Sequence, residues 1–363
     1  MATVDALVAD AQLPNAVAGL RGLGRAGVRA TAVAPSRAAA GLWSRYAVGR
    51  AVGSLAAAAA EHGPVVVYPG QERTIDGLLA LAGDPNVVLP WDPAALPALR
   101  EKRRLPELAG DHGLRAPATH FAGTAAGLVA AEPPLPVVVK PAHAVGVSLP
   151  TARLVESRGE LEALAAELAP GEEVLAQEHA AGRLMSLALV LDRAGGVAAR
   201  FQEEALRTWP RGAGTFVTTV SVAPDDELVE RAGAMLAGAG YWGLVQLDLV
   251  LGPEGAVLLD ANPRFYLCMP LALACGVNLP AAWHAVVAGG DPGSPRPYPA
   301  GRTYRDLEGD LYSARRGHPG HLLRPGRRAD TGAAWASDDP LASALLAAAA
   351  AAKPISSRLR RRR

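Results

Sequence analysis

"LLDANPRFY" at residues 258–266 sets Asp260, Asn262 and Arg264 at alternate positions behind a run of aliphatics. In a strand, residues i, i+2 and i+4 share one face, so an acid, an amide and a guanidinium project together. The longer stretch "GLVQLDLVLGPEGAVLLDANP" reads as two apolar strands joined by a Pro-Glu-Gly turn. A three-residue loop over Pro253, Glu254 and Gly255, with Gly255 in the left-handed position, sets Gly252 against Ala256 and Asp248 against Asp260. Like charges opposed across strands destabilise a sheet, so this pair calls for a cation between or above it. Asn262 adds a neutral oxygen. Oxygen ligands without Cys or His suit magnesium, which takes one or two carboxylates and completes its shell with water and substrate phosphates. The competing reading is a register one residue off, with Asp248 solvated on the opposite face.

Other residues carry the same chemistry. Lys140 ends "PVVVK", where burial without a partner is costly, and the small-residue loop after it can bring backbone N–H groups to a phosphate. Its other reading is a strand-end lysine reaching back to water. Lys102, in "LREKRRLPEL", also fits a solvated basic helix face. Glu178 ends the apolar strand "EEVLAQEH" and is placed to accept from an adenine amino group while neighbouring backbone groups complete the recognition; alone, it reads as structural. Arg207 and Arg211 flank "TWP" in a Gly-containing stretch that reads as a mobile loop over a phosphate, and without a phosphate both are surface arginines.

These groups need a scaffold. In the first ninety or so residues, "VDALVAD" and "VRATAVAP" read as strands around a helix from about Asn15 to Ala26, with "PVVVYPG" a later buried strand. This is a βαβ pattern and predicts a parallel sheet. Gly22, Gly24 and Gly27 in "GLGRAG" match the dinucleotide-binding spacing, but they fall in the last turns of the helix. A pyrophosphate needs them at its start. "LPWDPAALP" opens a new domain and leads into helical sequence divided by Pro106, the second piece running to about His112 and ending at Gly113. The run "PPLPVVVKPAHAVGVSLP" delivers Lys140 to a loop containing Gly146, and a helix follows near Arg158 to Leu168. Beyond Gly289, Pro, Gly and Arg suggest a linker, and the chain's end reads as peripheral.

Composition excludes several classes. The 363 residues are 50% hydrophobic, enough for two or three cores. Lys plus Arg number 36 against 35 Asp plus Glu, so no nucleic-acid footprint covers the chain. Only "RLRRRR" is strongly basic. Cys268 and Cys275 lie among aliphatics and lack zinc-ligand partners, which fits a reduced cytoplasmic protein. The N-terminus has no basic n-region or long apolar h-region. "LASALLAAAAAA" is too short for a membrane span and reads as a surface-packed helix.

Taken in order, "REKRRLPELAGDHGLRAP", "VVVKPAHAVG", "VLAQEH", "RTWPRGAGT", "LVQLDLVL" and "LLDANPR" resemble the ATP-grasp superfamily, in particular its carboxylate-amine ligase-like branch. "SRYAVGR" is similar to the domain that precedes ATP-grasp in these proteins, and "DDPLASALL" to the branch's tail. The resemblance implies an α/β fold: an N-terminal parallel-sheet pre-ATP-grasp domain over 1–95, then a two-lobed ATP-grasp domain with α+β lobes over 96–290. Its small lid lobe would span about 114–175, and a C-terminal extension with a basic tail would occupy 291–363.

The resemblance also implies roles. Lys102 and Lys140 would hold the ATP phosphates, and Gln177, Glu178, His179 and Ala180 would meet the adenine at the hinge. Asp248, Asp260 and Asn262 would bind Mg2+, or Mn2+ in its place. Arg264 would face the transferred phosphoryl group, with Lys140 and Arg207 as further catalytic groups. Three departures stand out. Many relatives carry Glu where this chain has Asp248 and Asp260; "AAGRLMSLALV" offers Ser186 where a ribose-binding acid often stands; and "KPAHAVGVSLP" has fewer glycines, though His143 and Ser148 could reach phosphate. The implied activity is an ATP-dependent ligase joining a small-molecule carboxylate to an amine, without nucleic acid or membrane and compatible with a homo-oligomer. A nucleotide-binding module without chemistry and a small-molecule kinase are the alternatives.

Overall fold

Short β-branched and Ala-rich runs build the N-terminal sheet: β1 (Ala6–Val8), β2 (Ala30–Ala34), β3 (Ala47–Val52), β4 (Val65–Tyr68) and β5 (Val87–Val88). All pairings are parallel, in the order β3-β2-β1-β4-β5. The structure is a computed structural model and describes residues 5–102, 104–142, 152–315, 318, 320 and 329–360. The helix Pro14–Arg25 follows β1 with Pro at its first turn, where the missing N–H costs nothing. A Cβ on Gly22 would lie 2.7 Å from Pro280, and one on Gly24 2.6 Å from Tyr46. Close packing therefore accounts for these glycines, as their place at the helix end implied.

A second, four-stranded sheet follows: β6 (Thr119–Thr124), β7 (Val137–Pro141), β8 (Arg153–Val155) and β9 (Glu173–Glu178). Its order is β6-β9-β7-β8, all antiparallel. The helices Ala125–Leu128 and Arg158–Glu167 cover it, and Leu128, Val137, Val139, Leu161 and Val174 form its own small core.

The third sheet has seven strands in the order β14-β13-β10-β11-β12-β15-β16. They are β10 (Arg183–Leu191), β11 (Val197–Trp209), β12 (Thr215–Ser221), β13 (Gly243–Gly252), β14 (Gly255–Asn262), β15 (Thr303–Arg305) and β16 (Thr331–Gly332). Aromatic contacts join it to the first sheet. Tyr68 at the end of β4 lies 5.7 Å from Phe265 and 4.7 Å from Trp283, ring centre to ring centre.

The stretch beyond Gly289 differs from the expected linker and peripheral end. β15 pairs with β12, and Asp310, Asp339 and Ser343 are buried. Asp339 accepts from Arg21 Nε at 2.9 Å and Ser44 Oγ at 2.7 Å, while Ala342 and Leu346 of the helix Pro340–Arg360 pack on Val17 and Ala40. Asp310 and Asp339 are buried through ion pairs and β15 has only three residues, so no apolar period marks these parts in the sequence. Among the described residues, no helix is long and apolar enough to cross a membrane. The side chains of the basic tail lie outside them.

Candidate active site

The β13–β14 hairpin sets the centre of the site. Gly252 faces Gly255 and Leu251 faces Ala256, so the loop has two residues, Pro253 and Glu254, rather than the expected three. Two pairs further along, β14 bulges: Leu249 faces Leu258, Asp248 faces Asp260, and Leu259 has no opposite number. The shorter turn and the bulge cancel. The two acids meet as the register arithmetic required, and the bulge re-aims the backbone, as bulges beside functional sites do. The Leu259 carbonyl accepts from Lys140 Nζ at 3.2 Å.

Cross-strand pairing extends this contact into a row. Asp260, Asp248, Ser186 and Glu203 stand directly opposite one another on four neighbouring strands, hence on one face of the sheet. That face floors a cavity of ≈ 1240 Å³. Lys102, Lys140, Gln177, Glu178, His179, Ala180, Arg207, Arg211, Asp248, Asp260, Asn262 and Arg264 all line it. The structure thus gathers these residues into one cavity. His143, Gly146 and Ser148 lie outside the described residues.

Burial and neighbouring charges set the electrostatics of the acid pair. Asp248 is pushed up to about 6, first by burial and then by the Asp260 charge. Hydrogen bonds from Gln246 Nε2 at 2.7 Å and Asn262 Nδ2 at 3.3 Å oppose that rise. Lys140 is held down at about 8 by burial, against the pull of Asp260. Lys102 lies in a turn between the helices Leu96–Arg100 and Leu105–Gly110, not on a basic helix face, with Nζ 3.7 Å from Asp260 Oδ2. Arg264 donates Nε to Glu72 Oε1 at 2.9 Å and Nη2 to Asn262 Oδ1 at 2.8 Å.

Three expectations need correction. The oxygen of Asn262 is engaged by Arg264 and its N–H faces Asp248, so Asn262 is not a third oxygen beside the two acids. Glu178 does not offer Oε2 to a base: that atom accepts from Arg115 Nη1 at 2.6 Å and the Ala118 N–H at 3.1 Å, and the Arg115 pair lowers its pKa. Arg207 sits in β11, not in a loop, ion-paired to buried Asp310. In each case an internal partner, unmarked by the local sequence, claims the side chain.

The donor set still fits magnesium. Among the described residues, no three or more His, Cys, Asp and Glu gather as ligands. The opposed carboxylates of Asp248 and Asp260 match the number this ion uses when phosphates and water complete its shell, and a divalent charge would relieve their repulsion. Sequence reasoning missed Glu72, Gln246 and Asp310. Gln246 stands two residues before Asp248, so the period-2 rule would have found it; Glu72 and Asp310 arrive from distant segments and carry no local signal.

One parallel sheet followed by a four-stranded and a seven-stranded sheet around such a cavity is the ATP-grasp fold. Among solved structures, the biotin carboxylase–β,γ-ATP complex of Campylobacter jejuni is similar, with a TM-score of 0.61 and 16% identity, over 83% of this chain and 74% of that one. N5-carboxyaminoimidazole ribonucleotide synthetase from Thermus thermophilus is similar too, with a TM-score of 0.59 and 18% identity, over 82% of this chain and 81% of that one. The match to Rhizobium etli pyruvate carboxylase has a TM-score of 0.60 and 14% identity and takes in 80% of this chain, but spans only 29% of that much longer protein. No family model and no curated protein matches the sequence.

Proposed function

We propose that the chain is an ATP-dependent carboxylate-amine ligase. It transfers the terminal phosphoryl group of ATP to a small-molecule carboxylate and couples the resulting acyl phosphate to an amine, releasing ADP, phosphate and an amide. The observation that carries this reading is the convergence of Lys102, Lys140, Asp248, Asp260 and Arg264, from separate segments, on one cavity of an ATP-grasp fold. The likeness to a biotin carboxylase solved as a β,γ-ATP complex supports the nucleotide.

Phosphoryl transfer depends on positioning and charge stabilisation more than on a protein nucleophile, and the side chains suit that task. Backbone groups at Glu178, His179 and Ala180 meet the adenine. Lys140, anchored on the Leu259 carbonyl, and Lys102 hold the phosphates. Magnesium, or manganese in its place, would sit on Asp248 and Asp260 and neutralise phosphate charge. Arg264, oriented by Glu72 and Asn262, faces the group in flight, with Arg207 beside it. The amine nitrogen then bonds the acyl carbon, the carbon–oxygen bond to phosphate breaks, and the amine proton passes to solvent. No histidine base is required, because the acyl phosphate is already electrophilic.

On this reading residues 1–95, 96–290 and 291–363 are the pre-ATP-grasp domain, the ATP-grasp domain and a C-terminal extension. The free, buried thiols of Cys268 and Cys275 fit a cytoplasmic setting. The test is magnesium- and ATP-dependent hydroxamate formation with hydroxylamine across a panel of amino acids, peptides and other carboxylic acids. Hydroxamate from the wild type and none from Asp260→Asn supports the ligase; ADP formed without hydroxamate for any acid overturns it in favour of a kinase.

A further inference from the structure

Arg207 on the cavity wall is backed by residues that the ligase reading leaves unused. Arg207 on β11 and Arg305 on β15 both ion-pair with Asp310, which is fully buried. Arg207 also donates Nη2 to Thr218 Oγ1 at 3.1 Å, and its buried Nη1 has no partner among the described residues. Asp310 lies on the helix Leu307–Arg315, whose start is fixed from two sides. Asp306 caps it, accepting from the N–H groups of Glu308 at 3.1 Å and Gly309 at 3.0 Å, and the Asp306 N–H bonds the Val217 carbonyl at 2.7 Å. Gly309 leaves no room for a side chain, since a Cβ there would lie 2.8 Å from Val217. The helix is therefore seated against β12 with Asp310 reaching Arg207.

Two guanidinium groups share one carboxylate beside the cavity that Arg207, Trp209 and Arg211 line. An unpartnered buried guanidinium N–H is costly, and its natural complement is an oxyanion, which a planar guanidinium matches well. We propose that Asp310 is a positioning residue: it holds Arg207 so that its free N–H groups receive the oxyanion of a substrate, whether transferred phosphoryl or acceptor carboxylate. This inference rests on the reading of the cavity as a phosphoryl-transfer site. It assigns the C-terminal segment, far from the metal acids in sequence, a part in substrate recognition.

The test titrates inorganic phosphate in one arm and acetate in the other into protein saturated with ADP and magnesium, read by tryptophan fluorescence. Asp310→Asn, Arg207→Gln and the double variant are compared with wild type. ADP binding and thermal midpoint serve as separate checks, so a wild type that fails to bind ADP counts against the nucleotide reading and not against Asp310. The expected result is an affinity loss of about tenfold for at least one anion in each single variant, with no further loss in the double variant. Loss in the phosphate arm marks a phosphoryl site, and loss in the acetate arm a carboxylate site. Undiminished affinity in Arg207→Gln, or losses that add fully in the double variant, would overturn the proposal. If Asp310→Asn does not fold, Arg207→Gln alone still decides whether the guanidinium binds the anion.

Discussion

Arg264 Nε donates to Glu72 Oε1 at 2.9 Å, joining the end of β14, the strand that carries Asp260, to the first helical turn after β4 of the N-terminal sheet. The other Glu72 oxygen accepts from Arg100 Nε at 3.0 Å. Arg264 is thus oriented from outside its own hairpin, by a residue that itself lines the cavity. Glu72→Gln should lower kcat by roughly 10- to 100-fold, the cost of misplacing a catalytic group by about an ångström, with a smaller change in the KM for ATP. Steady-state kinetics on the two variants Glu72→Gln and Arg100→Gln checks this, because loss of Arg100 leaves the Arg264 contact intact and should cost less.

Lys140→Met and Asp260→Ala should each reduce turnover by about 10²- to 10³-fold while leaving the fold in place, the usual cost of removing one well-placed electrostatic group. Circular dichroism and a thermal scan separate lost chemistry from lost structure. Lys140→Met should also be no less stable than wild type, since a buried amine held down at about 8 by desolvation is replaced by an apolar chain of similar length.

Glu203 is fully buried, with Oε2 accepting from Thr219 Oγ1 at 2.6 Å and burial pushing its pKa from 4.5 to about 8. A raised acid binds its proton more tightly when folded, so the contribution of Glu203 to stability is highest below about 4.5, falls as pH rises toward 8, and then levels. Glu203→Gln should remove this component. Urea unfolding of wild type and variant from pH 5 to pH 9 should show the variant gaining on the order of 3 kcal/mol relative to wild type across that window. A pH-independent difference would contradict a neutral Glu203.

The parallel N-terminal sheet and the opposed acids were legible because they rest on strong local rules: βαβ alternation and the two-residue period of strands. The Asp248–Asp260 pair was reached through an incorrect loop length. A two-residue turn and the bulge at Leu259 shift the register in opposite directions, and no residue in "AVLLDAN" announces a bulge. Glu178 and Asn262 look like ligand groups locally, but Arg115 engages Glu178 Oε2 and Arg264 engages Asn262 Oδ1. The buried ends of the C-terminal segment were illegible for a related reason. Asp310 is held by Arg305 and by Arg207 about a hundred residues away, and Asp339 by Arg21 about three hundred residues away, so their burial has no local hydrophobic signature.

The Arg21–Asp339 pair offers a stability test of that segment. Its atoms meet at 2.9 Å with both side chains nearly inaccessible, and Asp339 also accepts from Ser44 Oγ and the Arg45 N–H. Asp339→Ala should cost about 3–5 kcal/mol by leaving Arg21 buried and unpaired. Removing both charges as Arg21→Met with Asp339→Leu should cost less than the single change. Equal or greater loss in the double variant would mean that the pair is not the dominant contact there.

The central claim is that Asp248 and Asp260 hold a divalent ion for a nucleotide in this cavity. Calorimetric titration of ADP with and without magnesium tests it without knowing the acid or the amine. The wild type should bind ADP at least about tenfold more tightly with magnesium, the scale of one charge-assisted contact, and the Asp248→Asn, Asp260→Asn double variant should bind with no magnesium dependence. A folded wild type that does not bind ADP, or a double variant with the full magnesium effect, would contradict the account.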